Sequence, residues 1–111
     1  MKFLCLAYGK EDDWNELSTT VQNGLLAQDE ILRKRGDVVA AVDDDAITVR
    51  AWDGAPNTKK GAVTDASPSL AGFYIVDAEN LDEAVHLIHD TPCARAKGAI
   101  VVHEITEING A

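Results

Sequence analysis

The run KFLCLAY, Lys2–Tyr8, is apolar at almost every position and is closed by Gly9. A strand with one wet face alternates polar and apolar residues, so an almost unbroken apolar run reads as a strand in the middle of a sheet. The layer that covers it comes next in the chain. Trp14, Leu17, Val21, Leu25, Gln28, Ile31 and Leu32 recur at steps of three or four, the inner stripe of a long helix running from Asp12 or Asp13 to Gly36. Ser18, Thr19 and Thr20 compete for backbone hydrogen bonds and mark where that helix can divide.

Asp37–Val42 and Ala46–Trp52 are β-branched runs separated by Asp43, Asp44 and Asp45, and they read as a hairpin. DGAPNTKKG, residues 53–61, has the composition of a loop, and a short strand is expected over AVTDA, residues 62–66. Leu70–Val76 reads as a further strand. A second helix starts after Asn80 with Leu81, Ala84, Val85 and Ile88 inward, and stops before Pro92, which is placed to open one more turn through Arg95. AIVVHEITEI, after Gly98, is the last strand.

The order β, α, β, β, short β, β, α, β is that of an α+β domain, a ferredoxin-like split βαβ with an extra short strand. On the last strand Val101, His103 and Ile105 share one side, and Ile100, Val102 and Glu104 the other, so both sides carry apolar groups. One helix layer covers one face. The economical cover for the other is a second copy packed sheet to sheet, which makes a homodimer the expected state.

A length of 111 residues suits one domain, 1–111, with a core that buries roughly 65% of the unfolded surface. The 19 acidic and 10 basic side chains leave a net charge of −9, which repels phosphate backbones and anionic lipids and argues against nucleic-acid and membrane partners. The one basic run, Arg33–Arg35, ends the long helix, where cations meet the negative end of its dipole. MKFLCLAYG is too short for a signal-peptide core and KEDDW follows it, so a cytoplasmic location is expected. No glycine loop of phosphate-cradling type occurs, nucleotide binding has no support, and no cofactor is expected.

Five places carry chemistry worth weighing. His103 shares a strand face with Val101 and Ile105, where it can exchange a proton near neutral pH or hold an anion; its plainer role is a hydrogen bond across the interface. Asp65 is a candidate second group for it, and its plainer role is to satisfy backbone donors in a turn. Tyr8, at the end of the first strand, is the aromatic best suited to a pocket, because a buried hydroxyl needs a polar partner. Asp82, His86 and His89 lie at helical spacing and make a weak metal candidate, set against their reading as an ordinary solvated face. Cys93, just after Pro92, falls in a first helical turn, where the dipole favours thiolate.

Four segments carry a resemblance to a known family. MKFLCLAYGKEDDW, AITVRAWDG with VTDA, LAGFYIVDAENLDEA and PCARAKGAIVVHEI resemble the YCII-related family of DGPF type, over Met1 to about Ile105. The resemblance implies a dimeric α/β barrel with a pocket between the first helix, the sheet and the partner chain. It also implies, for some members, a histidine on the inner face of that helix working with an aspartate. Counted back from Gly36, that histidine falls at Leu25, and an aliphatic side chain can neither give nor take a proton. Asp65 matches the aspartate of the signature, while Ala66, Ser67 and Pro68 replace the rest.

The expectation is therefore a dimeric small-molecule-binding protein, weakly catalytic or not catalytic, with Tyr8, Asp65 and His103 at its pocket. The alternatives are a lyase or dehalogenating enzyme using Asp65 and His103, and an acidic protein-interaction module.

Overall fold

The computed structural model describes residues 1–64 and 67–109. The apolar run forms β1 (Lys2–Tyr8), with Phe3, Cys5 and Ala7 buried on one face. Glu11–Asn15 make a short α1 and Thr19–Lys34 make α2, divided at Ser18, whose side chain caps α2 by accepting from the Val21 N–H. The helix stops at Gly36, whose φ of +94° suits a residue without a Cβ. Then follow β2 (Val38–Ala41), β3 (Ile47–Arg50), β4 (Asn57–Lys60), β5 (Leu70–Asp77), α3 (Leu81–Ile88), α4 (Pro92–Arg95) and β6 (Ala99–Glu104).

The main sheet has the order β2-β5-β1-β6, with every neighbouring pair antiparallel, as in a ferredoxin-like split βαβ domain. Both long apolar runs are central strands, as their composition requires. Leu32, Tyr74, Val76, Ala84 and Ile88 close the core between the sheet and the helices. Among the described residues the sheet is open at both edges and closes into no barrel.

Three expectations are corrected. The hairpin is not made by β2 and β3: β2 joins β5, with Val39 opposite Tyr74, and β3 turns back through Gly54 onto β4, with Val49 opposite Thr58. β-Branched content marks a strand without naming its partner, and Asn57–Lys60, read as loop, supplies that partner. Ala62–Thr64 make no strand, Val63 and Thr64 forming a bend, and the rest of that segment, Asp65 and Ala66, lies outside the described residues. On the helices Val21, Ile31, Leu81 and Val85 are exposed; α2 turns Leu25, Asp29 and Leu32 inward, and α3 packs through Ala84, Leu87 and Ile88.

Candidate functional site

Leu25, Asp29 and Leu32 follow at steps of four and three, so Asp29 is carried into the core by the two leucines of its own stripe. A buried carboxyl requires a partner. β5 supplies it: Tyr74 points at the helices, between Gly72 and Val76, and its hydroxyl donates to Asp29 Oδ1 at 2.8 Å. Burial pushes the Asp29 carboxyl above the usual carboxylate range, against the opposing pull of the Tyr74 hydrogen bond and of Arg33. Burial first, and then the charge of Asp29, drive the Tyr74 hydroxyl well above the ordinary phenol range.

The turn into α4 completes the cluster. Thr91, fully buried, donates its hydroxyl to the Ile88 carbonyl, and Cys93 is half-buried against Gly9. Burial, and secondarily the charge of Asp29, push the Cys93 thiol up. The pull of a helical first turn towards thiolate does not prevail here: α4 is four residues long, and desolvation raises the thiol. Cys5, fully buried on β1, is pushed to about 11 by burial and by Asp37.

These groups face open space. A recess of about 190 Å³ is lined by Asp29, Arg33, Val39, Gly72, Tyr74 and Cys93. Next to it lies a cleft of about 450 Å³, with Lys10, Trp14, Val42, Asp44 and Ala96 in its wall. Ala41, Ala71, Pro92 and Cys93 line both, so Cys93 stands at their junction. An arrangement of this kind can hold a compact, mostly apolar molecule and offer one polar end a carboxyl and a phenol. A carboxyl of raised pKa also holds its proton more tightly than an ordinary one, as a general acid must.

The structure does not gather the residues singled out by sequence. His103 pairs with Leu4 and is exposed on the sheet face turned away from the helices. Tyr8 alternates with Ala7 onto that same face and is half-buried there. Asp65 lies outside the described residues. His86 and His89 are exposed, and the Nδ1 of His89 lies 2.7 Å from the carbonyl of His86 while its Nε2 approaches Asp90. Among the described residues no group of three or more His, Cys, Asp or Glu side chains is placed to hold a metal ion. No helix of the described residues is long and apolar enough to cross a membrane.

Asp29 and Tyr74 escaped the sequence reading, although a signal was present. Asp29 stands four residues after Leu25 and three before Leu32, a charged residue inside an apolar stripe, and that is where a buried functional group announces itself.

The sequence profile of the YCII-related domain matches residues 1–109. The chain belongs to the YCII-related family. Leu25, at the position to which the resemblance assigns a histidine, is buried on α2 one turn before Asp29 and on the same helix face. No curated relative matches the chain. Among solved structures it is similar to 5-chloro-2-hydroxyhydroquinone dehydrochlorinase (TftG) from Burkholderia phenoliruptrix AC1100, in complex with 2,5-dihydroxybenzoquinone, at 21% identity and a TM-score of 0.49, over 96% of this chain and 94% of that one.

Proposed function

We propose that this YCII-related protein binds a small molecule in the recess and cleft between α2, β5 and α4, with Asp29 and Tyr74 holding its polar end. The observation that carries this reading is a buried carboxyl–phenol pair opening onto a cavity rather than sealed in the core. Buried polar pairs are costly to keep, and one exposed to a mostly apolar cleft is suited to recognising a ligand that brings its own hydrogen-bonding group. Weak or absent catalysis follows from Leu25, which leaves the Asp29 carboxyl without a neighbouring imidazole on that helix face. This reading is preferred to a lyase or dehalogenating enzyme built on Asp65 and His103, because His103 faces away from the cleft.

The same reading includes a homodimer. Leu4, Leu6, Phe73, Ile75 and Val101 share the sheet face that no helix covers, and a second copy packed there would bury them and complete a barrel between the two chains. Light scattering at micromolar concentration gives twice the 11.9 kDa chain mass on this reading, and the single mass counts against it. The binding site is tested by thermal shift with a library of small phenols, amides and carboxylic acids. Compounds that stabilise the native protein lose their effect in Tyr74→Phe or Asp29→Asn. A hit that is indifferent to both substitutions, or no hit at all, removes the site.

A further inference from the structure

We infer that the β3–β4 hairpin is an arm that seats across the mouth of the cleft of a second copy of this chain. The inference rests on association of two copies, and adds to it the surface involved. The hairpin pairs with no strand of the main sheet. Every residue from Ala51 to Thr64 is exposed, and Ile47, Val49 and Trp52 show 66%, 61% and 91% of their surface to solvent. Two strands by themselves are barely stable in water, and an uncovered aliphatic and indole surface on them calls for a partner.

Its own cleft is not that partner. The hairpin begins beside Asp44, which lies in the cleft wall, yet no residue from Ala46 to Lys60 lines the cleft. Charge points to the occupant. The hairpin carries Arg50, Lys59 and Lys60, three of the ten basic side chains, against Asp53 alone of the nineteen acidic ones. The cleft is apolar at Trp14, Val42, Pro92 and Ala96 and is lined by Glu11 and Asp44 against Lys10, with Asp12, Asp13, Asp43 and Asp45 beside them in the chain. An apolar arm with basic edges therefore meets an apolar groove with an acidic rim. A two-fold axis makes the exchange reciprocal, each arm closing the cleft of the other chain. The indole of Trp52, stacked under the Arg50 guanidinium at 5.8 Å, then forms the outer wall of the binding site.

Cysteine cross-linking tests this. Ala55→Cys places a thiol at the exposed tip of the arm, and Cys93 waits at the cleft. Mild oxidation of the dilute protein gives a disulfide between two chains that maps to the tip and Cys93, and disappears when Cys93→Ser is added. A bridge within one chain, a bridge that survives Cys93→Ser, or no bridge overturns the proposal. Independently, Ile47→Ser with Val49→Ser and Trp52→Ser weakens dimerisation roughly tenfold or more in sedimentation equilibrium. An unchanged dimer overturns the arm while leaving sheet-to-sheet pairing and the ligand site standing, whereas a monomeric native protein removes both modes of association.

Discussion

Tyr74 on β5 donates its hydroxyl to the carboxyl of Asp29 on α2 across 2.8 Å, so the sheet and its longest helix are joined by a hydrogen bond inside the core. Tyr74→Phe keeps the ring and removes the donor, leaving a buried carboxyl with less to satisfy it. The expected cost is about 1–3 kcal/mol of stability, the range for an acceptor left unpaired. Urea unfolding measures it, with an unchanged slope showing that the fold persists.

Asp29 gives a pH dependence whose sign follows from its raised pKa. The folded state holds the proton more tightly than the unfolded state. Its contribution is therefore fully present below the usual carboxylate value and is lost as pH rises through the folded value. Asp29→Asn keeps an oxygen for Tyr74 and cannot ionise. The stability difference between Asp29→Asn and native protein should grow in favour of the variant from about pH 4 upward, where an ordinary Asp begins to titrate. Thermal unfolding across pH 3–8 measures this, and a difference that is flat or reversed removes the raised pKa.

Cys93 should alkylate slowly at neutral pH, because the attacking species is the thiolate and both burial and Asp29 disfavour it. Removing the acidic neighbour in Asp29→Asn speeds the reaction with iodoacetamide several-fold, as read by mass spectrometry. Cys5, fully buried and shifted to about 11, stays unmodified in both proteins.

Gly72 faces the backbone of β2, where an added Cβ would stand 2.3 Å from the Ala40 carbonyl oxygen. Gly72→Ala must push β2 off β5, at an expected cost of about 1–3 kcal/mol for forced overpacking. Amide exchange is the sensitive measurement: protection falls at Ala40 and Val42, whose N–H groups face β5, while β6 keeps its own.

The central strands were legible because an almost unbroken apolar run marks a strand with a neighbour on either side. The division of the helices at Ser18 was legible for a different reason, the chemistry of a single capping side chain. Strand partnership was not. Val38–Ala41 carries the same β-branched signal whether it folds onto β3 or onto β5, and the choice is made by packing against Tyr74 and Phe73, far along the chain. The site failed to show for a related reason. Asp29 and Tyr74 are 45 positions apart and meet only once α2 lies on β5, while His103, which stood out as a residue type, is turned to the other face by the alternation of its strand.

The sheet order carries a consequence for how the chain reaches this state. β1 is synthesised first, yet both of its neighbours, beginning at Leu70 and Ala99, come from the far part of the chain. A nascent chain must keep one of its most apolar segments without a pairing partner until most of the remainder has emerged, and the loops then to be closed are long. High contact order of this kind slows folding and lengthens the interval in which Phe3, Leu4 and Leu6 are open to the wrong partner. The acidic excess of the chain would keep such exposed intermediates apart by mutual repulsion during that interval.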